Sequence, residues 1–268
     1  MNDHKVKTFF LAVALFLVYE LLTIPFLSIA NLRKENPSET ALMKQRLHEA
    51  GDEGKALKIT QKWISLSRVP KHVVDAIIVA EDGTFYSHGG FDWFEVRESI
   101  EKNLDKGRFA RGASTITQQL AKNLFLSTSK DPVRKFKEVL ITILLEQFLP
   151  KHRILELYLN VIEWGRGIFG IEAASQRYFG KSASNLTLDE ATRLAAVIPS
   201  PLRHRPDEDS RYVMRRKQIV LRRMDARNFV RRTPLTDMPD AAVDDPRELL
   251  DSLEIPDSTD FGEERNGL

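Results

Sequence analysis

Glu81 stands at the end of an apolar run, Val73 to Ala80, and is followed at once by Asp82 and Gly83. About thirty residues on, Ser114-Thr115-Ile116-Thr117-Gln118-Gln119 and Lys122-Asn123 bring hydroxyls, amides and a cation into one short segment. Arg134 and Lys135 follow, with Glu138 one helical turn beyond them. A carboxylate set among apolar neighbours suits a general base. Fixed cations suit a group that departs carrying negative charge. A base beside a cation-lined polar cradle is what transfer of a sugar from a phosphate leaving group requires. Each piece also has a plain reading taken singly. Glu81 could cap a helix end, and Arg134 with Glu138 could be an exposed i,i+4 ion pair of small energetic weight.

The longer patterns narrow the choice. They are Glu81-Asp82-x-x-Phe85-x-x-His88-x-Gly90 through Asp92, Gly112-Ala113-Ser114-Thr115-Ile116-Thr117-Gln118-Gln119-x-x-Lys122-Asn123, Arg134-Lys135-x-x-Glu138, and Lys151-x-Arg153-Ile154-Leu155-Glu156-x-Tyr158-x-Asn160. Together they resemble the peptidoglycan glycosyltransferases, which polymerise bacterial cell-wall glycan from lipid-linked precursors. The resemblance runs from about Ser65 to Met224. It implies a mainly α, lysozyme-like glycosyltransferase domain with an N-terminal transmembrane helix. It assigns Glu81 the role of general base and makes Glu138 the second acidic residue of the site. It implies that Asp82 tunes or orients Glu81, and that Ser114, Gln119, Lys122 and Asn123 line the donor site near a pyrophosphate. Arg134 and Lys135 then stabilise the departing pyrophosphate. Phe85 and His88 read as packing and a local hydrogen bond, and Glu146 as a structural, ion-paired carboxylate. The implied partners are lipid II, the nascent glycan strand, the membrane, and cell-division or elongation synthases. No cofactor is required by this chemistry. A divalent cation, Mg or Mn, could assist at the pyrophosphate, but no His/Asp cluster calls for a metal.

The elements that must position these groups read mainly as helices. Pro70 marks a helix start, and His72 to Glu81 continues it with Val73, Ile77 and Ile78 on one face. Phe91 to Leu104 has amphipathic spacing, and Asp105 to Ala113 reads as a mobile loop. Ser114 to Leu124 reads as a helix capped by Ser114 or Thr115. On it Ser114, Gln118 and Lys122 would share one face and Gln119 and Asn123 the next stripe. Pro132 to Phe148 is a long apolar helix broken by Pro150, and Lys151 to Val161 resumes. On it Glu156, Tyr158 and Asn160 are expected to make buried hydrogen bonds. Gly165, Gly167 and Gly170 mark a turn-rich connection. Ile171 to Phe179 is helical with Gly180 as its cap, Leu188 opens another helix, and Arg211 to Arg227 is a basic amphipathic one. Lys58 to Leu66 reads as a short strand or loop, and no convincing run of alternating strands occurs. Phe91, Trp93 and Phe94 fit either a membrane interface or core packing.

Charge and hydropathy set the boundaries. The 268 residues carry a formal net charge of +2 and no cysteine, which removes disulfides, thiolate metal sites and a cysteine nucleophile. From Thr233 onward about eleven acids face two arginines, leaving about +11 on the rest. A body that basic favours an anionic partner. Thr8 to Ala30 is mostly apolar, interrupted by Glu20 and Pro25, with Lys5 and Lys7 before it and Arg33 and Lys34 after. The span is long enough for a bilayer core. A retained signal anchor and a cleaved signal peptide, with Ser28-Ile29-Ala30 as a loose cleavage site, both fit, and a buried core helix is the third reading, less favoured for a run at the extreme terminus. The expected organisation is a stub and anchor at 1–30, a linker at 31–57, the catalytic domain at 58–232, and an acidic tail at 233–268. The catalytic domain would lie on the outer, periplasmic face of the bacterial inner membrane, with a single pass through it.

Three rival classes are weaker. A muramidase-like hydrolase shares carboxylates and a sugar groove but has no pyrophosphate to hold, which leaves the cations unexplained. A non-catalytic scaffold has no need of Glu81, Lys122, Arg134 and Glu138 together. A basic nucleic-acid module does not account for the leading apolar segment, so no nucleic-acid partner is expected. Ser127-x-x-Lys130 fits a penicillin-binding motif, but no Lys-Thr-Gly follows and the chain is short for such a domain, so no transpeptidase activity is expected.

Overall fold

The computed structural model describes residues 3–97, 99, 114–129 and 131–232. The end of the helix expected at Phe91–Leu104, the Asp105–Ala113 loop, Gly112 and Ala113 of the second pattern, Lys130 and the acidic tail lie outside them. The described residues are mainly helical, as the sequence predicts. In chain order the helices are α1 (Asp3–Leu22), α2 (Phe26–Asn31), α3 (Ala41–Asp52), α4 (Lys71–Glu81), α5 (Ile116–Phe125), α6 (Pro132–Phe148), α7 (Lys151–Val161), α8 (Ile171–Phe179), α9 (Leu188–Val197) and α10 (Arg211–Arg232), with a further helical stretch at 93–97.

Helix α4 is the spine of the site. Val73, Ala76, Ile77 and Ile78 are all at most 1% exposed, because their spacing puts them on the stripe that faces α9 and α10. Burying each Val or Ile contributes about 1.5–3 kcal/mol before entropy is counted, so the last turn carrying Glu81 is held by its own helix. Helix α5 packs against α3, α6 and α7 through Ile116, Leu120 and Ala121, all fully buried. Thr115 caps it in a reciprocal box. Its Oγ1 accepts from Gln118 N at 3.2 Å, and its own N–H donates to Gln118 Oε1 at 3.0 Å. Asp131 caps α6 by accepting from Arg134 N at 2.7 Å, with Pro132 in the first turn. Pro150 then separates α6 from α7, and Gly180, at φ +67°, closes α8 in the left-handed conformation expected of it.

The structure adds a small sheet that the sequence conceals. Strands β1 (Thr60–Gln61), β2 (Glu163–Gly165) and β3 (Ile168–Phe169) run in the order β1-β3-β2. β1 pairs parallel to β3 with Thr60 opposite Ile168, and β2 pairs antiparallel to β3 with a bulge at Glu163/Gly165. Strands of two and three residues are too short to show an alternating pattern. The glycine-rich connection is a hairpin. Asn160, fully buried, holds the chain that follows β1: its Oδ1 accepts from Ile64 N at 2.8 Å, and its Nδ2 donates to Ile64 O at 2.9 Å and Glu156 O at 2.8 Å. Glu156 accepts from Leu66 N at 2.8 Å. The buried bonds expected on α7 are therefore made.

The leading apolar segment is divided. Pro25 ends the first helix rather than bending it, leaving α1 and the short α2. Among the described residues no helix is long and apolar enough to cross a membrane. Leu11, Leu15, Tyr19 and Leu22 are exposed along α1, whereas Ile29 in α2 is fully buried and belongs to the main core. Phe26 meets Phe148 of α6 edge-on at 5.0 Å. Glu20, the interrupting charge, pairs with Lys137 of α6 at 2.5 Å, which gives a carboxylate in apolar company its counter-ion. Where the sequence reads as linker, α3 packs on the body, and its Arg46 pairs with buried Glu163 at 2.9 Å.

Candidate active site

Glu81 and Asp82, adjacent in sequence, face different tasks. Asp82 is 7% exposed. Its Oδ1 accepts from His88 Nε2 at 2.9 Å, and its Oδ2 accepts from Ile116 N at 2.9 Å, at the start of α5. It therefore locks the loop after α4 to the first turn of α5, a favourable place for a negative charge. Both of its oxygens are thus engaged inside the scaffold, next to Glu81. The loop it anchors is tied to the α5 cap a second time, Thr115 Oγ1 donating to Gly90 O at 2.7 Å. Phe85 is fully buried, with the Lys151 ammonium 4.4 Å from its ring centre. Thr84 bonds Asp92, whose Oδ1 accepts from Phe94 N and Glu95 N at 3.0 Å each. Gly90, at φ +95°, lies so close to α6 that an added Cβ would sit 2.8 Å from Thr142 Cγ2. Phe85 and His88 thus have the packing and bonding roles read from the sequence.

Glu81 meets α5 instead. Its Oε2 accepts from Gln119 Nε2 at 2.9 Å, and Gln119 Oε1 accepts from the Tyr158 hydroxyl at 2.9 Å. Burial pushes the Glu81 carboxyl above the usual glutamate range. The Gln119 hydrogen bond and the charges of Arg216 and Arg223 pull it back, and Asp82 pushes it up again. The result is a carboxylate more basic than a surface one.

Lys122 lies one turn beyond Gln119 on the same face of α5. Burial pulls its ammonium below the usual lysine range. Glu138 and Glu81 counter that, while Arg134 and Lys135 add to it. It therefore stands in the field of both acids and both cations of the site. Among the described residues it makes no hydrogen bond or ion pair. Glu138 on α6 is 3% exposed, with Arg134 Nη1 2.6 Å from its Oε2 and Lys135 on its Oε1. The plain reading of Arg134 with Glu138 as an exposed pair does not hold, because the carboxylate is buried between two cations.

Other expectations on α5 change. Ser114 is exposed and precedes the cap, so it is not on the helix face with Lys122; its carbonyl accepts a long 3.4 Å bond from Gln119. Gln118 is used in the capping box. Asn123 is 9% exposed, one turn beyond Gln119. Glu146 is the ion-paired structural residue expected, accepting from Thr117 Oγ1 at 2.5 Å and Lys151 Nζ at 2.8 Å. The site thus brings together Glu81, Gln119, Lys122, Arg134, Lys135 and Glu138, leaves Ser114 at its edge, and places Asp82 beneath it.

Three residues of the site are not among the sequence candidates. Tyr158 was expected only to make a buried bond. Arg216 and Arg223 belong to the helix read simply as basic and amphipathic. Arg223 donates to Val79 O at 3.2 Å, and both guanidinium charges act on Glu81. Their separation of seven residues places them on one helix face, which is the signal that could have singled them out.

Residues 50–225 match the family model described as Transglycosylase. The chain is similar to three curated proteins, each named biosynthetic peptidoglycan transglycosylase. That of Aromatoleum aromaticum is 48% identical over 72% of this chain and 83% of its own length. That of Herminiimonas arsenicoxydans is 44% identical over 74% and 86%. That of a Janthinobacterium species is 41% identical over 83% and 96%.

Proposed function

The chain belongs to the transglycosylase family and is a glycosyltransferase, and we propose that it polymerises peptidoglycan glycan chains from lipid II without transpeptidase activity. The donor is a glycan linked through pyrophosphate to undecaprenol, and the acceptor is the 4-hydroxyl of lipid II. Glu81 takes the proton of that hydroxyl as its oxygen bonds to the donor's anomeric carbon. The bond from that carbon to the pyrophosphate oxygen breaks on the opposite face. The configuration inverts to a β-1,4 link, and undecaprenyl pyrophosphate leaves with the electron pair. Diphosphate is already a good leaving group, so it needs charge neutralisation rather than a general acid of the kind a glycosidase uses. Lys122, Arg134 and Lys135 supply it, with Asn123 beside them, and Glu138 positions the two α6 cations.

The observation that carries this reading is Lys122, a desolvated ammonium with no partner among the described residues, set in the field of both Glu81 and Glu138. A diphosphate would give it a direct partner. Glu138 has both oxygens engaged by cations. A divalent cation, Mg or Mn, would therefore be carried by the diphosphate's own oxygens, and no step here uses one. The exposed apolar residues of α1 and Trp93, 73% exposed, support an assignment to the membrane surface, where both lipid-tailed substrates reside. In this reading the apolar segment at 1–30 as a whole anchors a single-pass inner-membrane protein whose catalytic domain, 58–232, faces the periplasm, within reach of other cell-wall synthases.

Polymerisation of labelled lipid II by wild type and Glu81→Gln tests the reading. Wild type is expected to form polymer, and the variant to be slower by about 100- to 10,000-fold, the range for loss of a general base. Equal rates would remove Glu81 from the mechanism.

A further inference from the structure

Gln119 lies between two groups that ask opposite things of its amide. Glu81 accepts from its Nε2, and Tyr158 donates to its Oε1, each at 2.9 Å. An amide is nearly symmetric in shape, so either end can turn toward the carboxylate. Turned around, its carbonyl oxygen would face Glu81, and two acceptors would oppose each other. The ionised carboxylate therefore selects the Nε2 end, and a donor on Oε1 holds the amide in that orientation. Tyr158 is fully buried, and burial, with Glu81 and Asp82 nearby, holds its hydroxyl well above the usual tyrosine range. It stays protonated and available as a donor.

We propose that Tyr158 is a positioning residue of the transfer reaction: by donating to Gln119 Oε1 it fixes the amide with Nε2 toward Glu81, so that the acceptor's base is aligned and its charged form preferred. This rests on Glu81 being the base. Tyr158 acts only through Gln119 and touches no substrate. The arrangement also accounts for a phenol on an apolar helix where a phenylalanine would fill the same space. When Glu81 has taken the acceptor's proton it becomes a donor itself, and the preference for Nε2 lapses until the proton leaves.

Among the described residues, the charged and titratable groups around Glu81 are Asp82 at the end of its own helix, Lys122 on α5, Tyr158 on α7, and Arg216, Arg223 and Tyr212 on α10. Tyr158→Phe changes one of them and leaves the rest in place. His88, bonded to Asp82, is common to both proteins, so a difference between their profiles does not come from it.

The test is the pH profile of kcat/KM for lipid II polymerisation by wild type, Tyr158→Phe, Gln119→Ala and the double variant. The hydrogen bond from Gln119 favours the ionised carboxylate, so loosening it raises the Glu81 pKa. The acid limb of Tyr158→Phe is expected to move upward by about half to one pH unit, with rates on the high-pH plateau within about threefold of wild type. In the Gln119→Ala background, Tyr158→Phe is expected to add less than a twofold effect, because the two act as one chain. An unmoved limb with equal loss at every pH, or full additivity of the two substitutions, would overturn the proposal and leave the polymerase reading intact. A wild type that polymerises nothing would overturn the polymerase reading and the positioning role that rests on it.

Discussion

Replacing Lys122 by Met separates holding an anion from holding the fold. The side chain keeps its length and loses its charge. In the free protein the ammonium is desolvated and makes no hydrogen bond or ion pair among the described residues, and the charges of Arg134 and Lys135 oppose it. A buried charge without a direct partner is a cost to folding. The variant is therefore expected to be as stable as wild type, or more stable by up to about 1 kcal/mol. The sign agrees with linkage: a lysine whose folded pKa lies below its unfolded value penalises the folded state while it is protonated. Catalysis should respond in the other direction. A charge-assisted hydrogen bond contributes about 1.5–3 kcal/mol, so losing one to the departing diphosphate lowers kcat/KM by about 10- to 150-fold. The leaving charge develops in the transition state, so most of the loss should appear in kcat. Denaturant unfolding and initial rates of lipid II polymerisation give the two numbers. Destabilisation beyond about 2 kcal/mol would make Lys122 a structural residue. A stable variant within about threefold of wild-type kcat/KM would refute the diphosphate role.

Glu81 yields a prediction in both pH and stability. Its raised pKa means that kcat/KM falls as pH drops through a value above the ordinary glutamate range. The same shift, for an acid, means that stability is lost as pH rises through the folded pKa. Glu81→Gln should therefore raise Tm at neutral pH by a few degrees, about 1 kcal/mol, as calorimetry at pH 7 and pH 4 would show by the gain shrinking at the lower pH. Asp82→Ala should behave oppositely. It strands His88 Nε2 and Ile116 N and should cost about 2–3 kcal/mol, and a double cycle with His88→Ala should show that the two losses do not add.

What was legible in the sequence follows the strength of local rules. Helices α4 to α9 announce themselves through apolar spacing, Pro132 and Pro150, and the Gly180 cap. The sheet does not, because strands of two and three residues have no period and β1 pairs with a β3 far along the chain. The site was legible as a set of residue types but not as a division of labour. Asp82 follows Glu81 directly, and nothing in the chain says that one carboxylate turns to the substrate side and the other to the α5 N-terminus. Ser114 and Gln118 fit a helix face by spacing, but capping took one out of the helix and spent the other. Tyr158, Arg216 and Arg223 reach Glu81 from helices far along the chain, and only packing reveals that.

The charges of the site divide by whether they are already neutralised. Arg134 and Lys135 close on Glu138, so in the free protein their charge is largely answered. Arg216 and Arg223 act on Glu81. Lys122 has no such direct partner among the described residues. A fully neutralised cluster would bind diphosphate only by breaking its own ion pairs, and a fully unpaired one would destabilise the fold through repulsion. One open lysine beside a paired Arg-Lys-Glu group avoids both costs. In the proposed transfer it would offer a ready contact to the incoming anion and leave two further cations to shift toward the leaving oxygen as its charge grows. Glu138 would then be the restoring partner that takes those cations back once the diphosphate departs. On this argument Glu138→Gln should slow product release as well as catalysis, since the anion would no longer compete with a carboxylate for Arg134 and Lys135. Single-turnover and steady-state rates on labelled lipid II separate the two steps. A variant whose single-turnover rate falls while its release rate is unchanged would show that the carboxylate only orients the cations.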